Sequence, residues 1–310
     1  MSSRPDILAI DPFPPVITER LEQLFTIHRY EGLEALPSCA DRIRGVATGG
    51  GSGLPRQIMD ALPALEVISV NGVGTDQIDL EEARRRGIQV ATTLGTLTDD
   101  VADMAIALML AVMRDIVSND RFVRAGLWPD RPLPLSRSVT HKRMGIAGFG
   151  HIGQAIARRA DAFGMELAYF NSRPRTESPV RFEPDLKALA EWSDILVLAV
   201  SGGPRSANMI NSDILDALGQ DGVLINIARG SVVDENALIS ALKAKRIAGA
   251  GLDVFQNEPD INPAFFSLEN VVLQAHQASA TVETRTAMGN LMVDNLAAYF
   301  EGKPLLTPIL

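Results

Sequence analysis

The sequence predicts an α/β protein of two doubly wound parallel-sheet domains, of Rossmann or flavodoxin-like type. Short runs rich in Val, Ile and Leu alternate with amphipathic helical stretches almost from end to end, as strands joined by crossover helices do. The alternation comes as two series, one on each side of a proline-rich segment. A chain of 310 residues, 46% hydrophobic and 22% charged, is long enough to close a core in each.

In the first series "ILAI", "GVATG", "VISVNGV" and "IQVATT" are predicted strands, separated by helical "ITERLEQLF", "PRQIMDAL" and "LEEARRRG". A long helix is predicted over "TDDVADMAIALMLAVMRDI", with Thr98 as its N-cap and Asp99 and Asp100 facing the positive end of its dipole. In "RFVRAGLWPDRPLPLSRSVTHK", Pro129, Pro132 and Pro134 follow one another too closely for a regular element, which predicts an arm or a functional loop. The second series runs through "RMGIAGFG", "ELAYFN", "DILVLAV", "GVLINIA", "AGAGLDV" and "VVLQA". "TVETRTAMGNLMVDNLAAYFEG" is a closing helix whose periodicity fits either domain. The expected boundaries are residues 1–97 plus 283–310 for one domain and 98–282 for the other.

Composition narrows the function. A net charge of -9 argues against a general nucleic-acid binder, which needs a surplus of Lys and Arg for phosphates. The single cysteine, Cys39, can form no internal disulfide and gives no zinc cluster, as suits a reducing compartment. The opening "MSSRPDILAIDPF" breaks its apolar run at Asp6 and Asp11, unlike a signal peptide. "MAIALMLAVM", bounded by Asp103 and Arg114, falls far short of the ~20 residues that span a bilayer. The expectation is a cytoplasmic protein with no membrane, nucleic-acid or metal partner.

The strongest motif is "GFGHIG": Gly148, Phe149, Gly150, His151, Ile152 and Gly153, directly after an apolar strand and opening a helix. In that context glycines permit the tight turn, the approach of a pyrophosphate and close helix packing, with phosphate at the helix N-terminus. About 20 residues on, where an acid often holds a ribose 2′-hydroxyl, the chain has Asn171, Ser172, Arg173, Pro174 and Arg175. Asn171 lacks the charge that would repel a 2′-phosphate, Ser172 offers a donor, and Arg173 and Arg175 offer guanidinium forks. NADPH is therefore the expected cofactor, with NADH weaker.

Almost half the chain precedes that turn. "NGVGTDQIDL", "TLTDDVADMAIALML", "GFGHIGQAIARR", "INIARGSVVDENAL", "AGLDVFQNEP" and "HQASATVETR" follow in an order and spacing that resemble the D-isomer-specific 2-hydroxyacid dehydrogenases, within them the glyoxylate/hydroxypyruvate reductase branch. The resemblance implies an active site in the cleft between the domains, a homodimer, and reduction of small 2-keto acids such as glyoxylate and hydroxypyruvate.

Of four histidines, His28, His141 and His151 suit solvated or structural roles. His276 follows the apolar "VVLQA", and ligands in open α/β folds gather beyond the carboxyl ends of strands, so it reads either as an acid/base or as a satisfied polar group. The resemblance makes His276 the acid/base, partnered by Glu258 in "NEP" and Arg229 in "ARG". Reduction of a keto acid puts negative charge on the carbonyl oxygen, which calls for a proton donor and a cation. Glu258 would fix the imidazole tautomer, and the Arg229 fork suits a carboxylate.

The resemblance also makes the Val73 and Gly74 amides a second carboxylate clamp. It gives Asp253 a hydrogen bond from the nicotinamide amide, sets Val200, Ile227 and Ala228 along the cofactor, and sends Trp128 across a dimer interface. The family usually has Pro before the histidine and often Ile-Gly after it, where this chain has Ala275, Gln277 and Ala278, so the pocket shape departs from the pattern. Glu258 disfavours a formate dehydrogenase, which typically pairs its histidine with Gln. Larger substrates, 2-ketogluconate or hydroxyphenylpyruvate, stay open, as does a non-catalytic cofactor sensor. Specificity is expected to depend on loops such as "TGGGSGL", Thr48 to Leu54.

Overall fold

A computed structural model describes residues 4–34, 36 and 40–310; Cys39 lies outside the described residues. The chain divides into two compact units, residues 1–97 with 281–310 and residues 98–280.

The first unit opens with β1 (Asp6–Ala9), α1 (Pro15–Leu24), β2 (Thr26–Arg29), β3 (Ile43–Gly49), α2 (Arg56–Asp60), β4 (Val67–Asn71), α3 (Leu80–Arg85) and β5 (Gln89–Ala91). The five strands are parallel in the order β2-β1-β3-β4-β5, the flavodoxin-like order whose switch point lies between β1 and β3. The second unit holds α4 (Thr98–Met113), α5 (Ile116–Arg124), β6 (Arg143–Ala147), α6 (His151–Asp161), β7 (Glu166–Phe170), β8 (Arg181–Phe182), α7 (Leu186–Trp192), β9 (Ile195–Leu198), α8 (Ser212–Leu218), β10 (Val223–Asn226), α9 (Glu235–Lys243), β11 (Gly249–Leu252) and β12 (Val271–Leu273). Its seven strands are parallel in the order β12-β11-β10-β9-β6-β7-β8, a Rossmann winding that reverses between β6 and β9. The two predicted parallel sheets are thus present.

Burial on both faces explains the near-continuous apolar strands: β9 and β10 are fully buried. Leu196, Leu198, Leu224, Ala250 and Leu252 from three adjacent strands of the second sheet share one core with Leu215, Leu238 and Leu242 from α8 and α9. Helix starts follow from capping. Asp79, Asp185, Asn211 and Asp234 each accept a main-chain N–H in the first turn of α3, α7, α8 and α9.

The closing helix α10 (Val282–Phe300), capped by Thr281, belongs to the first unit. There Met292, Val293 and Leu296 pack with Ile7, Ile17 and Val67, and buried Ser69 donates to the Met292 carbonyl at 2.9 Å. The alternative left open by its periodicity is settled by this packing.

Three local differences from the sequence reading have physical causes. Strand β2 went unpredicted because it is a polar, half-exposed edge strand, "TIHR", with no apolar run to announce it. His28 sits on it, with Nε2 2.7 Å from Asp6 Oδ1. The long helix stops at Met113, where Asp115 takes a left-handed φ of 51° and α5 begins in its place, so part of the proline-rich segment is helical. Thr98 is the first helical residue of α4 rather than a cap outside it. No helix among the described residues is long and apolar enough to cross a membrane.

Candidate functional site

The turn after β6 is shaped by its glycines. Gly148 has φ +97°, and a Cβ there would lie 2.5 Å from the Val200 amide nitrogen, so only glycine fits both the conformation and the space. A Cβ on Gly153 would collide with the Gly148 carbonyl, which is how α6 comes to lie so close to its strand. Gly150, by contrast, meets no atom within 4 Å. It caps α6, whose first turn holds no acidic side chain, so the positive end of the helix faces open space. These features fit a dinucleotide pyrophosphate. Phe149 is buried and stacks on Tyr169 at 4.1 Å, so only its main chain is available to a ligand. His151 is exposed and Ile152 half-buried.

Beyond β7, Ser172, Arg173 and Arg175 are exposed. The turn is pinned by Asn171 Nδ2 donating to the Arg173 carbonyl at 3.2 Å and by the Arg175 amide donating to the Tyr169 hydroxyl at 2.7 Å. Tyr169 therefore links the glycine turn, through Phe149, to the basic turn.

His276 stands three residues beyond β12 with a left-handed φ of 54°, an uncommon conformation for a residue with a Cβ. Its Nδ1 is 2.6 Å from Glu258 Oε2, and the other Glu258 oxygen accepts from the Phe255 amide at 2.7 Å. Partial burial acts to raise the Glu258 carboxyl. The hydrogen bonds from His276 and Phe255, with the charges of His276 and Arg229, outweigh it and hold the group below its ordinary value. Arg229, Glu258 and His276 thus form one electrostatic cluster. Arg229 is half-buried, and its Nη1 donates to the Ala228 carbonyl at 2.7 Å.

The residues that hold this cluster were mostly invisible in the sequence. Asn226, at the end of β10, accepts from the Ala228 amide at 3.0 Å and donates to the Arg229 carbonyl at 3.1 Å, tying down the turn that carries the guanidinium. A Cβ on Gly230 would run into the main chain of Phe255, so at this point the Arg229 turn and the Glu258 loop meet main chain to main chain. Glu235 accepts from the Gln256 amide at 3.0 Å, and burial pushes its carboxyl up. The motif "ARGSVVDE" was the available signal, but the sequence gives no sign of which loop it grips.

Asp253 is 1% exposed. Its carboxylate accepts from the amides of Gln277 at 2.7 Å and Ala278 at 3.0 Å, and its carbonyl accepts from the His276 amide at 2.8 Å. Burial pushes this carboxyl up against the opposing pull of the two amides. Asp253 is therefore first of all the brace of the histidine loop. Ile227 and Ala228 are buried, and Val200 abuts Gly148.

In the first unit Val73 and Gly74 follow β4, and their amides lie beyond the last strand residue, Asn71. Asn71 Oδ1 and Thr93 Oγ1 are buried without a hydrogen-bond partner beside that turn, where the Thr93 amide donates to the Gly72 carbonyl at 2.8 Å. Trp128 is 68% exposed. No cluster of three or more metal-ligating side chains occurs among the described residues.

Residues 106–278 match the family model described as D-isomer specific 2-hydroxyacid dehydrogenase, NAD binding domain. Over 310 residues, 100% of both chains, the protein is 73% identical to a 2-ketogluconate reductase of Gluconobacter oxydans. It is 43% identical to a hydroxyphenylpyruvate reductase of Plectranthus scutellarioides, covering 98% of both chains. Among solved structures, an NADPH-dependent glyoxylate/hydroxypyruvate reductase from Sinorhizobium meliloti, in complex with NADP and malonate, superposes with a TM-score of 0.95 at 42% identity, covering 99% of this chain and 97% of that one. With a Rossmann unit whose glycine turn fits a dinucleotide and a His-Glu pair beside an arginine, the chain belongs to the D-isomer specific 2-hydroxyacid dehydrogenase family of nicotinamide-dependent oxidoreductases.

Proposed function

We propose that the protein is an NADPH-dependent 2-keto acid reductase whose preferred substrate is 2-ketogluconate, with glyoxylate, hydroxypyruvate and hydroxyphenylpyruvate as secondary substrates. The observation that carries the substrate is the full-length 73% identity to a 2-ketogluconate reductase. It moves the reading away from the smaller keto acids that the motifs alone favoured. NADPH is supported by the exposed arginines after β7 and by the NADP complex of the Sinorhizobium relative.

In this reading Gly148, Gly150 and Gly153 receive the pyrophosphate, and Ser172, Arg173 and Arg175 the 2′-phosphate. The reduced nicotinamide supplies the hydride to C2 of the keto acid. His276 delivers a proton from Nε2 to the former carbonyl oxygen, while Glu258 holds Nδ1–H and fixes the tautomer. Arg229 and the Val73 and Gly74 amides hold the carboxylate and offset the charge that grows on the oxygen. Asp253 keeps the histidine loop in place as the imidazole gives up and regains its proton. The pair of exposed apolar side chains Trp128 and Leu135, 68% and 99% exposed, supports a homodimer in which a second copy covers them, a point that light scattering decides.

The test is a steady-state panel of 2-ketogluconate, hydroxypyruvate, glyoxylate and hydroxyphenylpyruvate with NADPH and NADH. The expected result is the highest kcat/KM for 2-ketogluconate with NADPH. Tight NADPH binding without turnover of any keto acid would point instead to a cofactor sensor.

A further inference from the structure

A buried amide on the closing helix leads, bond by bond, to the turn proposed to hold the substrate carboxylate. Asn295 of α10 is fully buried, a costly place for a side chain with two donor hydrogens and an acceptor oxygen unless each is used. All are used. Its Oδ1 accepts from the amides of Leu306 at 2.9 Å and Thr307 at 3.2 Å, and its Nδ2 donates to the Leu291 carbonyl at 2.9 Å and to Thr307 Oγ1 at 3.0 Å. An amide NH2 only donates, so the Thr307 hydroxyl accepts there and commits its own proton to the Thr92 carbonyl, 2.5 Å away.

From Thr307 the chain runs along the edge of the five-stranded sheet. The Thr92 amide donates to the Thr307 carbonyl at 3.2 Å, Pro308 bridges Ala91 in antiparallel fashion, and the Ile309 amide donates to the Val90 carbonyl at 2.8 Å. Strand β5 therefore lies between β4 on one side and this segment on the other. Thr307 thus takes both the amide and the carbonyl of Thr92, and the next amide, that of Thr93, donates to the Gly72 carbonyl at 2.8 Å. The Thr93 hydroxyl is buried without a hydrogen-bond partner, so this residue reaches Gly72 through its main chain and not through its side chain. On its other flank Gly72 meets Gly50, whose Cα would lie 3.0 Å from an added Cβ.

We infer that Thr307 is a positioning residue for the keto-acid carboxylate: held by Asn295, it fixes Thr92 and Thr93, which set where the Gly72 turn and the Val73 and Gly74 amides stand. A pair of amides binds a carboxylate only when both N–H groups are aimed at it, and small displacements of such donors weaken the grip steeply. The inference rests on the reading in which these amides hold the substrate, and deepens it by naming what holds the amides. Every 2-keto acid carries the same carboxylate. Thr307 therefore acts on all substrates alike and leaves the choice among them to other groups.

The experiment measures kcat and KM for 2-ketogluconate and for glyoxylate, the NADPH Kd and the Tm in the full-length protein and in Thr307→Val, Thr307→Ser and Asn295→Leu. Thr307→Val, which keeps the side-chain volume and removes the hydroxyl, should raise KM for both acids by about 5- to 10-fold. In the same variant kcat should fall by no more than about threefold and the NADPH Kd should stay within about twofold. Thr307→Ser restores the hydroxyl and should return KM to within about twofold of wild type. Asn295→Leu leaves the Leu306 and Thr307 amides without their acceptor and should raise KM further, by about 10- to 100-fold. Should it fail to fold, Thr307→Val still decides. A lowered Tm with unchanged KM in Thr307→Val, a raised NADPH Kd, or a KM change confined to one acid would overturn the inference while leaving the reductase reading intact. Absence of wild-type turnover with either acid would overturn both.

Discussion

The second sheet presents, at its β6/β9 reversal, a glycine turn whose Gly148 and Gly153 are packed against main chain and whose helix start carries no acidic residue. The first sheet, at its β1/β3 reversal, also presents a glycine-rich loop, but the Asp11 carboxylate is tied into it. The topological position is comparable; the charge is not. Parallel-sheet topology sets where such a loop stands, and the side chain beyond the strand sets its charge. On the proposed function the labour is divided, with the cofactor at the turn of the second sheet and the keto-acid carboxylate at the Val73 and Gly74 amides of the first unit.

The division breaks most visibly at His276. His276→Ala should lower kcat by about 10²- to 10⁴-fold, while the NADPH Kd, followed by fluorescence titration, stays close to the wild-type value. A matching loss of cofactor binding would mean that the roles are not divided.

Glu258→Gln should lower kcat by roughly 10- to 100-fold, as expected for a group that orients another. It also tests the sign of the electrostatics. The folded-state Glu258 carboxyl is held below its ordinary value, so the carboxylate that faces His276 Nδ1 persists through neutral pH and is lost only as pH falls below the usual carboxylate value of about 4.3. A pH profile of wild-type kcat should show that acid limb, and the glutamine variant should lack it.

The smallest of these effects concerns Arg173. Arg173→Ala removes one charge-assisted bond of about 1.5 kcal/mol and should lower kcat/KM for NADPH by roughly tenfold, leaving NADH and the keto-acid KM nearly unchanged. Equal losses with both cofactors would remove Arg173 from the 2′-phosphate site.

Much of this was legible in the sequence because it is local. The apolar runs that became β3, β4, β9 and β10 are buried on both faces and announce themselves, whereas β2 and β8 are short edge strands with polar residues and do not. The glycine spacing at 148–153 encodes a turn within six residues. What could not be read are contacts made across long separations. Asp11 meets Ser52 only because β1 and β3 are neighbours; Gly230 matters only because a loop from beyond β11 arrives on the Arg229 turn. Asp253 stood out in the sequence, but the hydrogen bonds that its two oxygens accept from the Gln277 and Ala278 amides did not.

That arrangement has one more consequence. Asp253 grips the main chain on both sides of the histidine and leaves the ring alone, so the loop behaves as a socket from which the imidazole can be unplugged. The left-handed φ of 54° at position 276 suits a residue without a Cβ. His276→Gly should therefore keep its fold and leave a ring-shaped space beside Glu258. Imidazole added to the buffer should enter it and restore part of the lost turnover in a saturable manner, carrying the proton as a diffusible reagent.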